Sequence, residues 1–212
     1  MPDRITFIAA LSHNLKPVGK MPDLDRLAMA WFVLSMLYVV VLTHLVGPAR
    51  PDAFAQLLST PRFLFETLSG VVAIVYVSVQ AFRDAVPGRT SGRLQLLGLM
   101  LMLFWLLQYV IGFVAPTLEP ASLGKRQNCD FETLLYSLVP LSLAWFVTRK
   151  FYPLYPRRMA ISLSLASGMM PALYMQLACM YEPSHILLFH ITPGLLVMVI
   201  GLGLAWLYRV RR

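Results

Sequence analysis

Residues 129–179 read CDFETLLYSLVPLSLAWFVTRKFYPLYPRRMAISLSLASGMMPALYMQLAC. Two apolar stretches of helix length flank a basic turn, Arg149-Lys150-Phe151-Tyr152-Pro153-Leu154-Tyr155-Pro156-Arg157-Arg158. The chain's only two cysteines, Cys129 and Cys179, stand at the far ends. Leu154, in the middle of the turn, is 25 residues from each of them. In an antiparallel hairpin of equal arms, that symmetry puts both thiols at one depth, opposite the basic turn.

Outward from the hairpin the same composition continues. Of 212 residues, 58% are hydrophobic and 13% charged, whereas a soluble domain carries about 25% charged residues. A spanning helix needs roughly 20 apolar residues, and six windows qualify: 27–46, 63–82, 94–114, 131–147, 159–180 and 186–207. The fourth is the weakest, being short, with Glu132 at its start and Pro140 in its middle. The expected fold is an all-α polytopic membrane protein with six transmembrane helices after a short amphipathic segment. Two domains follow: 1–26, a cytoplasmic N-terminal segment, and 27–212, the six-helix membrane domain.

The net charge of +8 does not point to nucleic acid, because the basic residues lie in short loops between apolar spans. Fourteen of the 18 lysines and arginines fall on one side of the expected topology. The positive-inside rule then places both termini in the cytoplasm. No cleavable signal peptide is visible, so the N-terminus is expected to stay attached. Trp31, Trp145 and Trp206 fall near the inner ends of their helices, as in an interfacial aromatic belt. Ala160, Ser164, Gly168 and Ala172 form a small-residue stripe on the fifth span, where the tightest helix contact is expected. Pro140, Pro171 and Pro193 each remove a backbone donor within a span.

In the N-terminal segment Ile5, Ile8, Leu11 and Leu15 recur at helical spacing until Pro17. Such a short amphipathic helix needs either the lipid surface or the groove of a soluble partner.

On the outer side Cys129, Cys179, His44, His185 and His190 gather with Asp130 and Glu182. Thiolate and imidazole suit soft or borderline metal ions, so the cysteines are the candidate metal and sensor residues and the others accessory ligands. Three readings stay open for the thiols: a structural disulfide, metal- or redox-responsive groups, or inert residues. His185 and His190 are five residues apart, and a shared site would need the chain to bend near Pro183 or at Pro193. Glu66 is the clearest acidic residue inside a span, and with Gln108 and the proline-broken helices it carries an alternative reading as a small-molecule or ion transporter. No HExxH, GxSxG, Gly-rich phosphate loop or CxxC is present, which argues against an enzyme.

Leu11 through Leu15-Lys16-Pro17-Val18 before the first span, Asn128-Cys129 before the fourth, and Ser167-Gly168, Leu177-Ala178-Cys179 and Glu182-Pro183-Ser184-His185 in the last third resemble the negative-regulator-of-sigma-F (NrsF) family of membrane anti-sigma factors. Gly19-Lys20 stands where that family has paired basic residues. The resemblance implies a location in the bacterial inner membrane and that Ile8, Leu11, Leu15, Lys16, Pro17, Val18 and Lys20 bind an extracytoplasmic-function sigma factor. It also implies that Cys129 and Cys179 respond to a heavy-metal ion, bound transiently, or to an oxidant and so release the partner. The bilayer is the other partner, and no direct nucleic-acid contact is expected.

Overall fold

The computed structural model describes residues 3–13 and 21–210. Its elements are α1 (Arg4–His13), α2 (Leu24–Val46), α3 (Ala53–Ser59), α4 (Pro61–Arg83), α5 (Gly92–Gly112) and α6 (Cys129–Thr148) with a 3-10 turn at Arg149–Phe151. They continue with α7 (Pro156–Ala178), α8 (Pro183–His185), a π-helical turn at Ile186–Ile191 and α9 (Thr192–Val210). Six helical segments are long and apolar enough to cross a membrane: Leu24–Val46, Pro61–Arg83, Gly92–Gly112, Cys129–Phe151, Pro156–Ala178 and Pro183–Tyr208. Each expected window falls on one of them, the third and the fifth running two residues past the helix end. The weak fourth window extends to 23 residues, since α6 begins at Cys129 itself and runs unbroken through Pro140.

Local chemistry sets the boundaries. The Asp23 carboxylate accepts from the Asp25 and Arg26 N–H groups and opens α2, while Ser91 does the same for Leu94 in α5. Pro61 and Pro156 occupy the first positions of α4 and α7, where a missing N–H costs nothing.

Helix α7 is the centre of the bundle, with 83% of its apolar window buried, against 22% for α2 and for α5. It packs on α9, α4 and α6. The small-residue stripe is its seam with α9: a Cβ built on Gly168 would stand 2.0 Å from the Gly194 carbonyl oxygen, and one on Gly201 3.0 Å from the Ala160 carbonyl oxygen. Small residues let the two backbones touch, which is how membrane helices gain packing without a hydrophobic driving force.

Contacts tie the α2 start, the α4 end, the α6–α7 turn and the α9 end into one basic end of the bundle. Arg83 grips Asp25 through both carboxylate oxygens, at 2.7 and 2.5 Å. Arg158 approaches Asp84 at 3.3 Å, and burial raises the Asp84 carboxyl above its ordinary range. The cysteines lie at the opposite end.

Two expectations need correction. Trp31 and Trp145 are buried, and only Trp206, 58% exposed, faces outward, so there is no aromatic belt among them. Trp31 is held inside because its indole N–H donates to the Pro140 carbonyl at 3.0 Å and its ring lies 5.5 Å from Phe82. The N-terminal segment does form a helix, and Ile5, Phe7 and Ile8 on α1 are exposed. Its other side, however, carries Thr6, Ala9, Ala10 and His13, so the contrast between its faces is weak. Leu15, Lys16, Pro17, Val18 and Lys20 lie outside the described residues, and so does the side chain of Leu11.

Gly168→Val forces the α7–α9 seam apart and should cost about 3 kcal/mol or more of stability in a detergent unfolding titration. Gly203→Ala, which meets nothing within 4 Å, should be neutral or slightly stabilising.

Candidate functional site

Cys129 opens α6, and Cys179 is the residue that ends α7, with its N–H bonded to the Met175 carbonyl at 2.8 Å. Both sulfurs converge on one atom, Nε2 of His185, at 3.3 Å from Cys129 and 3.5 Å from Cys179. The hairpin therefore does bring the thiols to one depth. Both are buried and neither is in a disulfide. The Cys129 thiol, donating toward Cys179, and the His185 imidazole hold the Cys179 thiol below the ordinary thiol range, against the opposing effect of burial. Cys179 is thus the more thiolate-like of the two, and thiolate is the form that binds metals and attacks electrophiles.

His190 joins them through the π-turn. In an α-helix, at about 100° per residue, side chains five apart point roughly 140° apart, whereas a π-turn closes i→i+5 hydrogen bonds, widens the helix and narrows that angle. Here the Thr192 N–H donates to the Leu187 carbonyl, five residues back. Pro193 has no N–H to offer the Phe189 carbonyl, and its ring crowds that turn. The rings of His185 and His190 meet edge to face with centroids 5.0 Å apart, and Phe189 stacks on His185 at 4.8 Å. The expected bend is replaced by a widening of the helix between the two prolines. One potential ligand atom from each of Cys129, Cys179, His185 and His190 lies within 4.8 Å of the other three.

The other expected accessory ligands are not in this group. His44 Nε2 shares a 2.8 Å hydrogen bond with the Tyr174 hydroxyl, Glu182 accepts from the Ser184 hydroxyl, and Asp130 is exposed.

The loop 179–182 is held in place by contacts the sequence gave little sign of. The Arg50 N–H donates to the Ala178 carbonyl at 2.9 Å, and the Ala121 N–H to the Tyr181 carbonyl at 3.3 Å. The Tyr181 hydroxyl donates to Glu66 Oε2 at 3.1 Å, which also accepts from Thr117 at 2.8 Å. Its ring stands edge-on to Phe63 at 5.4 Å. Glu66 thereby ties α4 to the cysteine loop, and Gln108 donates to Ser69 at 2.6 Å. Of the two residues of the transporter reading, Glu66 joins α4 to two loops and Gln108 joins α5 to α4. On the α6 side, Arg126 joins the Pro48 carbonyl at 2.8 Å to Glu132 at 2.8 and 2.9 Å, fixing the turn that begins with Cys129.

Glu132→Ala leaves the Arg126 guanidinium, 4% exposed, without its carboxylate and should cost about 3 kcal/mol in detergent unfolding. The double variant Arg126→Met with Glu132→Leu should recover much of that loss.

In a comparison with protein families, the model of the family described as negative regulator of sigma F, NrsF, matches residues 11–209. No curated protein and no solved structure matches the chain.

Proposed function

The chain belongs to the NrsF family of negative regulators of a sigma factor, and we propose that it acts as an inner-membrane anti-sigma factor switched by its Cys/His cluster. In this reading the N-terminal segment, with Ile8, Leu11, Leu15, Lys16, Pro17, Val18 and Lys20, sequesters an extracytoplasmic-function sigma factor in the cytoplasm. Cys129 and Cys179 face the periplasm and react with a soft metal ion or a two-electron oxidant. An oxidant takes two electrons and two protons from the thiol pair as the S–S bond forms. A metal ion displaces the thiol protons.

The observation that carries this reading is the position of α2. The helix that follows the N-terminal segment is little buried, and polar contacts join it to three other helices. Arg83 of α4 holds Asp25, the Pro140 carbonyl of α6 accepts from Trp31, and Tyr174 of α7 meets His44. Helices α6 and α7 are the two whose ends carry the cysteines. A change in their spacing therefore acts on α2 and on the segment before it. Turning a population from about 99% bound to about 99% released requires a bias of about 5.5 kcal/mol, within the scale of metal–thiolate bonding.

Two outcomes test the reading. A sigma factor should co-purify with the intact chain and not with one lacking residues 1–20; recovery of none from either, with the candidate sigma factor expressed, contradicts it. Cys129→Ser with Cys179→Ser should retain the sigma factor and abolish its release by cadmium or peroxide; unchanged induction removes the thiols from the mechanism. Trp31→Phe, which keeps an aromatic ring and loses the indole N–H, should retain the sigma factor and reduce the stimulated release several-fold in a reporter assay.

A further inference from the structure

We infer that Cys129, Cys179, His185 and His190 form one four-coordinate centre for a divalent d10 cation of the zinc and cadmium class, with both histidines as direct ligands. The inference rests on the sensing reading for its consequence, and on geometry alone for the site. Tetrahedral bonds of about 2.3 Å to sulfur and about 2.0 Å to nitrogen separate ligand atoms by roughly 3.3–3.8 Å. The two sulfurs already stand 3.3 and 3.5 Å from His185 Nε2, and all four ligand atoms lie within 4.8 Å of one another.

Hydrogen bonding does not account for this convergence. A ring nitrogen has a single in-plane direction for a donor or a lone pair, so Nε2 of His185 makes one good hydrogen bond, not two. His190 is fully buried, and neither of its ring nitrogens makes a well-formed hydrogen bond; the Cys179 sulfur is the polar group that interacts with it. An imidazole in the interior without a well-formed hydrogen bond is unfavourable unless something else bonds it. A metal ion centred among the four atoms satisfies both anomalies at once.

The donor set selects the ion. The four side chains offer sulfur and nitrogen and no carboxylate, a set that does not suit the oxygen-seeking calcium and magnesium ions. Two thiolates balance a dication and the imidazoles enter neutral, so the filled centre carries no net charge in a buried place. Loading releases the thiol protons to solvent, and affinity therefore falls as pH falls. With four buried protein ligands, the centre is of the closed kind that holds structure in place; a catalytic ion keeps a position open. Its ligands come from the start of α6, the end of α7 and the turn before α9, so the ion ties α6 to the α7–α9 pair.

Cobalt(II) is the direct probe on the purified full-length chain in detergent. The expected result is one equivalent bound with tetrahedral d–d bands and thiolate-to-cobalt charge transfer, displaced by one equivalent of zinc or cadmium. His190→Ala should lower zinc affinity by at least about 100-fold and alter the d–d bands, with helical circular dichroism unchanged. His190→Cys should restore tetrahedral binding with stronger charge transfer. Absence of a tetrahedral spectrum in the unaltered chain, or the same spectrum and affinity in His190→Ala, overturns the site. Metal binding as expected without release of the sigma factor overturns the sensing reading and leaves the site standing; release by peroxide with no metal bound does the reverse.

Discussion

The backbone contact between Gly168 and Gly194 sets the geometry on which the rest depends. A Cβ at either position would come within 2.7 Å of a carbonyl oxygen across the seam. From this crossing α7 runs on to Cys179, while the chain entering α9 comes back from His185 through His190. The side chains of Cys179, His185 and His190 meet because their backbones start so close together. A wider α7–α9 spacing would leave Cys179 with Cys129 alone. Apolar surface cannot enforce such spacing in lipid, so the small residues themselves must do it.

The π-turn is the second constraint and follows from the first residues of α9. Pro193 removes the N–H owed to the turn before it, and the helix widens in response. In a continuous α-helix the side chains of His185 and His190 would point apart. Their convergence on two thiols places a locally irregular backbone at a chemically loaded site, where π-turns are often found. The buried glutamate at position 66 belongs to the same construction, because it accepts from Tyr181 in the loop between Cys179 and His185.

Much of this was legible in the sequence, for identifiable reasons. Hydropathy located six spans because backbone satisfaction in lipid allows little besides continuous helices. The equal arms about Leu154 located the thiols at one depth, since helical rise is uniform. The stripe from Ala160 to Ala172 marked the closest seam, whereas its partners Gly194 and Gly201 are seven residues apart and form no four-residue stripe of their own. What stayed hidden was long-range or irregular. Five-residue spacing argues against a shared face until a π-turn is present. Trp31 carries the residue type of an interfacial anchor and instead donates to Pro140, 109 residues away. His44 lies at the right end of its helix but is engaged by Tyr174, and nothing in composition separates it from the histidines that reach the cluster.

The central claim is that chemistry at the Cys/His cluster changes the hold of the opposite end of the bundle on a sigma factor. Its most direct measurement is release of a fluorescent sigma factor held by the chain in reconstituted vesicles, with the stimulus supplied only on the cluster side. The vesicles have the N-terminal segment facing inward, and the membrane-impermeant cadmium–EDTA buffer outside fixes the free ion. The account predicts fast loss of the bound signal at free cadmium that saturates the cluster, and none when the same buffer is trapped inside. Equal release from either side, or retention of the sigma factor with the cluster saturated, would contradict it.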